Sequence, residues 1–554
     1  MLKKNEIIRL TIDGITNEGN GVGRYEGMAV FVPFTAIGDE ISCKIVKLKK
    51  TFAYGIIDEI ITPSKDRIEP DCQTYKKCGG CSFRHMSYEA ELKAKQSFVS
   101  DAFERIGKLD LDFDDILGCE EIYHYRNKAQ YPVCEKDGKL ECGFYSKRSH
   151  RVVDNKSCLL QPEIFNRIAN HTVSLLDENG FTAYDEESGK GVIRHIYIRH
   201  GFHTKEIMLC IVATKTDKRF KSISEKISKM FPEIKSIVLN INPNKTNVIL
   251  GKQSEVLFGE SYITDIMCGN RVRISPHSFY QINTAQAEKL YGIVKEYADL
   301  KGDETLLDLY CGIGTIGFSL VRDVKKLIGV EIVPDAIKNA KLNAKINEIC
   351  SAEFICGDSG AVANELIERG EAPDIIIADP ARKGCDSVSL DAMIKLNPKK
   401  IVMVSCNPST CARDVKYLCD NGYKAIKGQA VDMFPRTGHV ETVVMLSHKK
   451  PDSVINVKVE FGEGEGKVPL DNIAKRAEAY KPKERVTYKM IKEYIEAKYG
   501  FKVHTAYIAE VKRDLGLPMY DAPNAVEELK QPRKHPTPEK VEAIKDALKH
   551  FEVI

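Results

Sequence analysis

Apolar and polar positions alternate in short runs through residues 1–62. EIIRLTIDG, GMAVFVPF, DEISCKIVKLKK and AYGIIDEII each read as a strand, separated by Gly-rich turns such as NEGNGVGRYEG. Five or so short strands predict an OB-like β-barrel. From residue 63 to about 270 the pattern is mixed. ELKAKQSFVSDAFERIG predicts a helix, while HIYIRHG, EIMLCIVATK and SIVLNINP predict strands, giving a central α+β domain. TAQAEKLYGIVKEYADL predicts a helix capped by Thr284, with Leu290, Ile293, Val294 and Tyr297 on one face. Residues 304–449 alternate strand and helix through ETLLDLYCG, KKLIGVEIV, AEFICGD, PDIIIADPA, KKIVMVSCN and ETVVMLSHK. That order predicts a parallel, doubly wound, Rossmann-like sheet with its ligand site at the carboxyl ends of the strands. The charged residues 450–554 carry helical patterns near 487–499, 505–514 and 538–550, the last started by Thr537-Pro538. The expected domains are therefore 1–62, 63–270, 271–449 and a C-terminal helical extension, 450–554.

Composition adjusts this picture modestly. The chain has 554 residues, 43% of them hydrophobic, enough for three or four cores. It has no apolar run of about 18 residues, which argues against a membrane partner. MLKKNEIIRLTIDG lacks a signal peptide's apolar core, so a cytoplasmic location is expected. The net charge of +3 neither demands nor excludes a nucleic-acid partner. Locally, Lys44, Lys47, Lys49 and Lys50 precede Phe52 and Tyr54 in the barrel. Such a face suits single-stranded nucleic acid, or is merely solvated. In a reducing compartment, 17 cysteines are expected to be free thiols or metal ligands.

Candidate chemistry starts at LLDLYCGIGTIG, which follows a strand and opens a helix. Gly312, Gly314 and Gly317 match G-x-G-x-x-G, and Glu331 ends the next strand, where an acid would hold ribose hydroxyls. The glycines alone permit a dinucleotide site or simple tight packing. Asp308 before the loop could meet a cationic amino-acid group, and Asp358 could sit near an adenine amino group. That set fits S-adenosylmethionine (SAM) better than a pyrophosphate.

Asp379 follows the fourth strand and Cys406 the fifth, both at the expected ligand edge. Cys411 falls inside the next helix, capped by Ser409, and reads as packing, so Cys406 is the candidate nucleophile. Carbon 5 of a pyrimidine is a poor nucleophile toward a methyl group until a thiolate adds to carbon 6. A base must then remove the carbon-5 proton. Glu441, which begins the last strand on the same edge, is the candidate, with His439 as competitor.

Upstream, DCQTYKKCGGCSF clusters Cys72, Cys78 and Cys81. Three thiolates need a fourth ligand for a 4Fe-4S cluster or zinc, and Cys134, Cys142, Cys158 and His85 are the candidates. The spacing is not the C-x3-C-x2-C of radical SAM enzymes.

The motifs SFYQIN (278–283), LDLYCGIG (307–314), DPARKG (379–384), SCNP (405–408) and DMFPRTGHVE (432–441) together resemble the SAM-dependent RNA uracil-5-methyltransferase family. YRNKAQYPV (125–133) resembles that family's central-domain motif, and the barrel looks like its RNA-binding TRAM domain. The resemblance spans residues 1 to about 449. It implies Cys406 as nucleophile, Glu441 as base, and Gln281, Tyr310, Glu331 and Asp379 as SAM contacts. It selects Cys158 as the fourth ligand of a 4Fe-4S cluster, as in a subset of the family. It also implies a monomer acting on structured RNA: 23S ribosomal RNA first, the tRNA T-loop second, at one or two uridines. A nicotinamide-dependent oxidoreductase would leave SCNP and Glu441 without a role. A non-catalytic RNA-binding protein sits poorly with an intact Cys406, Glu441, Asp379 and Gln281, and a cytosine-5-methyltransferase would carry its nucleophile in other motifs. The extension lies outside the resemblance. Its Lys489, Lys492, Lys498, Lys512 and Arg513 suggest a further RNA contact.

Overall fold

Six short strands build the N-terminal barrel: β1 (Ile7–Thr11), β2 (Gly14–Ile15), β3 (Asn20–Tyr25), β4 (Met28–Pro33), β5 (Glu40–Leu48) and β6 (Phe52–Thr62). Their order is β1-β5-β6-β4-β3-β2, and the Asp13 N–H donates to the Val22 carbonyl at 2.9 Å, bringing the two ends of the sheet together. The computed structural model from which this architecture is read describes residues 2–448, 488–515 and 535–551.

NEGNGVGRYEG is not only a turn, because it contains β3. A Cβ at Gly21 would stand 2.0 Å from Thr35 Oγ1, and one at Gly23 would stand 2.4 Å from the Thr11 carbonyl oxygen. These glycines serve close approach across a small barrel. Lys44, Lys47, Lys49 and Lys50 are exposed. Beside them Phe31, Phe52 and Tyr54 form a cluster with ring centroids 5.6–5.7 Å apart.

After the barrel come helix α1 (Tyr88–Ala102), a π turn (Phe103–Gly107) and strand β7 (Phe113–Leu117). The next sheet contains β8 (Lys128–Lys136), β9 (Lys139–Tyr145), β10 (Val152–Asp154), β11 (Ile193–His200), β12 (Ile207–Ala213), β13 (Ile234–Ile241) and β14 (Gln253–Gly259), ordered β10-β9-β8-β11-β12-β13-β14. Helices α2 (Glu163–Glu178) and α3 (Arg219–Met230) pack their apolar residues into the same core as this sheet. β12 is buried at every position, which is why IMLCIVA reads as an unbroken apolar run.

A hairpin, β15 (Ile263–Met267) and β16 (Asn270–Ile274), leads to helix α4 (Thr284–Ala298). The cap of α4 is Asn283 rather than Thr284, its side chain accepting from the Gln286 N–H. The large sheet contains β17 (Thr305–Leu309), β18 (Lys326–Glu331), β19 (Ala352–Cys356), β20 (Ile375–Ala378), β21 (Lys400–Ser405), β22 (Tyr423–Val431) and β23 (Glu441–His448). Its order is β19-β18-β17-β20-β21-β23-β22-β7. Connecting helices are α5 (Thr315–Leu320), α6 (Pro334–Ile346), α7 (Ser359–Glu368), α8 (Ser387–Leu396) and α9 (Pro408–Asp420), and apolar cores cover both faces.

The sheet is not wholly parallel. β23 runs antiparallel between β21 and β22. A parallel last strand would have begun at the opposite edge. The reversal brings the first residue of β23 to the carboxyl ends of the others. β22 and β7 carry Lys, Gly, Gln and Asp where apolar residues would mark a strand, so periodicity passed over them.

The chain divides into two compact units, Met1–Ser453 and Val454–Ile554. The second contains α10 (Tyr488–Tyr499), α11 (Thr505–Asp514) and α12 (Pro538–His550) around Ile491, Ile495, Ile508 and Ile544. Within it, Lys498 is engaged by Asp546 at 2.8 Å, and Lys512 lies over the Tyr488 ring. Among the described residues, no helix is long and apolar enough to cross a membrane.

A buried ionic cluster joins α1 to residues 432–436. Lys95 Nζ donates to Glu91 Oε1 at 2.8 Å, Asp432 Oδ1 at 2.7 Å and the Phe434 carbonyl at 3.1 Å. The side chains of Lys95, Glu91 and Asp432 are fully buried. Lys95→Ala leaves two carboxylates short of their cation. It should destabilise the first unit by about 3–5 kcal/mol, read from urea unfolding followed by circular dichroism.

Candidate active site

Strand register fixes the site before any side chain is considered. Leu309 pairs with Val330 on one side and Ala378 on the other. The next residue of each strand is Tyr310, Glu331 or Asp379, so these three form one row at the carboxyl edge. Ser405 pairs with Thr442 in the antiparallel direction, so one further step sets Cys406 opposite Glu441.

The glycine loop is braced from below and from the side. Asp308, 1% exposed, accepts the Gly317 N–H through Oδ2 at 3.1 Å, and its Oδ1 has no partner. It therefore lies under the loop it was expected to precede. Glu331 accepts from the Gly312 N–H at 3.2 Å and the Val333 N–H at 2.9 Å. Gly314 sits at φ +91°, and a Cβ there would stand 2.6 Å from the Phe318 ring. Tyr310 is held at φ +72°, a strained conformation for a non-glycine residue at a loop of this kind. Asp358 is exposed at the end of β19 and uses Oδ1 to cap α7. Gln281 is 8% exposed. Asn127 positions its loop by donating to the Gln281 carbonyl at 2.7 Å and to Thr284 Oγ1 at 2.8 Å.

Cys406 opens onto a cavity of about 440 Å³ that Arg382 and His439 also line. Burial pushes the thiol up to about 11, Glu441 and Asp379 add to this, and Arg382 opposes it. Glu441 is 4% exposed and raised to about 8, by burial first and then by Asp379, with Arg382 opposing. Burial alone takes Asp379 to about 7, and Asp308 is raised to about 8 by burial and by the nearby Asp379. His439 is lowered to about 4 by burial, with Arg382, Lys95 and Arg126 contributing. Glu441 is thus much the stronger base of the two candidates. Cys411, 1% exposed within the apolar core, packs. The cap of α9 is Asn407 rather than Ser409, with Pro408 in the first turn. Asn407 also donates to the Arg382 carbonyl at 3.0 Å, tying the loops after β20 and β21 together. DPARKG and SCNP were legible as motifs, but Arg382 and Asn407 acquire roles only once these loops meet.

A second cavity, of about 430 Å³, is lined by Cys72, Cys78, Cys81 and Cys158. Cys142 is instead buried in the central core, and Cys134 lines another cavity. His85 is 1% exposed with both ring nitrogens engaged, Nδ1 with the Tyr75 hydroxyl and Nε2 with the Thr35 carbonyl, so it is not a free ligand. Arg84 Nε donates to Cys81 Sγ at 3.3 Å, and the Gly80 N–H to Cys78 Sγ at 3.4 Å. Among the described residues, no group of three or more His, Cys, Asp or Glu side chains is set to hold a metal ion. The thiols surround a space instead of meeting at a point.

The two cavities share Gly438 and His439. The residues just before them are anchored by remote elements: Ser82 and Phe83 N–H donate to the Arg436 carbonyl, the Tyr125 hydroxyl to the Pro435 carbonyl, and Asn283 to the Met433 carbonyl.

The native site retains a proton on Glu441 up to about pH 8, whereas an unfolded chain loses it near 4.5. The unfolded state therefore binds fewer protons across that window, and stability falls as pH rises through it. Glu441→Gln removes this loss. Its stability relative to wild type should improve by roughly 4 kcal/mol between pH 5 and pH 8.5. Urea unfolding at both values checks this; an equal difference at both would show that Glu441 titrates normally.

Comparison with known proteins places these features. The sequence profile described as tRNA (Uracil-5-)-methyltransferase matches residues 87–449, and that of the TRAM domain matches residues 2–57. An uncharacterized RNA methyltransferase of Clostridium tetani is 44% identical over 450 residues, covering 81% of this chain and 97% of the relative. Another, from Oceanobacillus iheyensis, is 45% identical over 452 residues, covering 81% and 98%. The crystal structure of Pyrococcus abyssi tRNA (uracil-54, C5)-methyltransferase in complex with S-adenosyl-L-homocysteine aligns with a TM-score of 0.63 at 26% identity, covering 79% of this chain and 99% of that one.

Proposed function

The chain belongs to the SAM-dependent RNA uracil-5-methyltransferase family, and from that premise we propose that it methylates carbon 5 of a uridine in 23S ribosomal RNA. The observation that carries the reading is the antiparallel register that sets Cys406 opposite Glu441, beside the row of Tyr310, Glu331 and Asp379.

Bound at that row, SAM supplies an electrophilic methyl group on a sulfonium. Gln281, Tyr310, Glu331 and Asp379 hold it, with Asp308, Gly312, Gly314 and Asp358 shaping the loops around it. The target uridine leaves its stack to expose carbons 5 and 6. The Cys406 thiolate forms a bond to carbon 6, and the electron pair released makes carbon 5 nucleophilic. Carbon 5 would then accept the methyl group, with the donor released as a neutral thioether. The Glu441 carboxylate removes the carbon-5 proton, the carbon–carbon double bond re-forms, and the Cys406 thiolate is expelled.

Cys406→Ala should lower methyl transfer at least ~10³-fold while SAM affinity stays within about twofold of wild type. Glu441→Gln should accumulate a covalent RNA–protein adduct on denaturing gels. Full activity of Cys406→Ala would remove the nucleophile assignment. The substrate is read by mass spectrometry of ribosomal and transfer RNA from a strain lacking the gene. Loss of 5-methyluridine from 23S RNA is expected; loss from the tRNA T-loop alone would favour the activity named for the Pyrococcus abyssi neighbour.

We also assign Cys72, Cys78, Cys81 and Cys158 to a 4Fe-4S cluster. A cavity of about 430 Å³ ringed by four thiols suits a multi-atom group better than one zinc ion, whose ligands converge at about 2.3 Å. N–H groups directed at two of the sulfurs would favour their thiolate form. Protein prepared without oxygen should contain iron and acid-labile sulfide in equal amounts, and one equivalent of zinc with neither would overturn the assignment. The exposed lysines of the barrel fit the RNA backbone, and the C-terminal extension is proposed as an accessory RNA contact.

A further inference from the structure

The cavity at Cys406 takes part of its wall from the far end of the sequence. Thr16 and Asn17, in the turn between β2 and β3, line it together with Cys406 and Arg382. Asn17 also lines the four-cysteine cavity, so it stands at the boundary of both.

The turn is held internally and externally. The Thr16 N–H donates to the Asn20 carbonyl at 2.8 Å, the Gly19 N–H to the Thr16 carbonyl at 2.9 Å, and the Asn20 N–H to Thr16 Oγ1 at 3.1 Å. A Cβ on Gly438 would stand 1.6 Å from the Asn17 carbonyl oxygen, so only glycine permits this approach of the catalytic segment to the turn. On its other side, a Cβ on Gly19 would stand 2.8 Å from Ser82. Lys147 donates to the Glu18 carbonyl at 2.8 Å, and Arg148 pairs with the Glu18 carboxylate at 2.6 Å. The backbone of Asn17 is therefore wedged among three other segments. Its side chain is exposed and makes no hydrogen bond to the described residues, leaving two N–H donors and a carbonyl available on a fixed backbone.

We propose that Asn17 is an RNA-binding residue at the mouth of the pocket, whose amide donates to the phosphodiester beside the flipped uridine and so contributes equally to binding before and during the reaction. The inference rests on the reading of the chain as an RNA uracil-5-methyltransferase. A flipped nucleotide enters base first, so its backbone stays at the mouth of the cavity. The groups there suit a phosphate: Arg382 is exposed and carries no ion pair among the described residues, and Asn17 donates without adding charge. The turn itself offers no aromatic ring on which a base could stack. The barrel thus acts in the reaction as part of the catalytic pocket as well as an RNA-binding surface.

Steady-state methylation by the full-length protein, with the RNA concentration varied, tests this through Asn17→Ala and Asn17→Asp. Asn17→Ala should raise KM for RNA by roughly 3–10-fold, and Asn17→Asp by roughly 10-fold or more, because the new carboxylate faces a phosphate. The deficit of Asn17→Asp should shrink as salt rises, since screening weakens that repulsion. The kcat at saturating RNA and the affinity for SAM should stay within about twofold of wild type in both variants. Unchanged KM in both variants would overturn the proposal. So would equal, salt-independent effects of the two substitutions, or a fall in kcat with KM unaltered. A wild-type enzyme that places no methyl group on uridine carbon 5 would instead overturn the functional reading beneath it.

Discussion

Lys95 carries its ammonium into an interior where both neighbouring acids are fully buried, and each of its three N–H donors meets an acceptor. Removing such a charge from water costs several kcal/mol, and Glu91, Asp432 and the Phe434 carbonyl offset it by taking up all three Lys95 donors. The cluster is electrically balanced. Arg436 lies against Glu91, so two cations face two anions, and the Tyr88 hydroxyl donates to the second oxygen of Asp432 at 2.8 Å. A pairing this specific has one satisfactory arrangement. It therefore acts as a registry device more than as a source of stability, holding α1 against the start of the 432–441 segment.

That segment is where the rest of the unit converges. Asp432 is tied to α1, Met433 to the SFYQIN loop, Pro435 to the YRNK motif, Arg436 to the cysteine loop and Gly438 to the barrel turn. Glu441 follows as the first residue of β23. The segment leading to Glu441 is thus held by elements from widely separated parts of the first unit. The cysteine loop is coupled to it without touching it, because Ser82 and Phe83 donate to Arg436, and Thr437, Gly438 and His439 line the cysteine cavity. This arrangement gathers five segments scattered along the sequence, α1, the SFYQIN loop, the YRNK motif, the cysteine loop and the barrel turn, at one place.

What the sequence made legible follows burial. β17, β20 and β21 are buried along nearly their whole length, so LLDL, IIIA and IVMV stand out as apolar runs. β22 and β7 are partly exposed, and their Lys, Gly, Gln and Asp residues hid them; with β22 hidden, the reversal of β23 was hidden as well. Caps were missed by one or two residues at Asn283 and Asn407, where an Asn precedes another plausible capping residue. The placement of Cys406 and Glu441 at one edge was readable because strand ends point there. The contacts of Arg382, Asn127 and Lys95 were not, because each is made with a segment remote in the chain. The glycines of β3 misled for a similar reason: their signal is a close approach, and turn chemistry looks the same in one dimension.

The electrostatics of the pocket bind these observations to the chemistry. Asp308, Asp379 and Glu441 are all raised into the range about 7 to 8, and the Cys406 thiol to about 11, chiefly by burial, with neighbouring carboxylates adding to the shift at Asp308, Glu441 and Cys406. Arg382 alone opposes the shift at both Cys406 and Glu441. Such a site favours a ligand bearing positive charge, and the proposed methyl donor would bring an ammonium and a sulfonium. A cation beside these acids would lower the cost of ionising them, so on the proposed mechanism a bound donor would favour the Glu441 carboxylate and the Cys406 thiolate. Loss of the sulfonium charge on methyl transfer would let Glu441 return toward its raised value, and a carboxylate with a raised pKa is the stronger base. The same burial that makes the acids hard to ionise would then make proton removal from carbon 5 more favourable at the step where the proposal needs it.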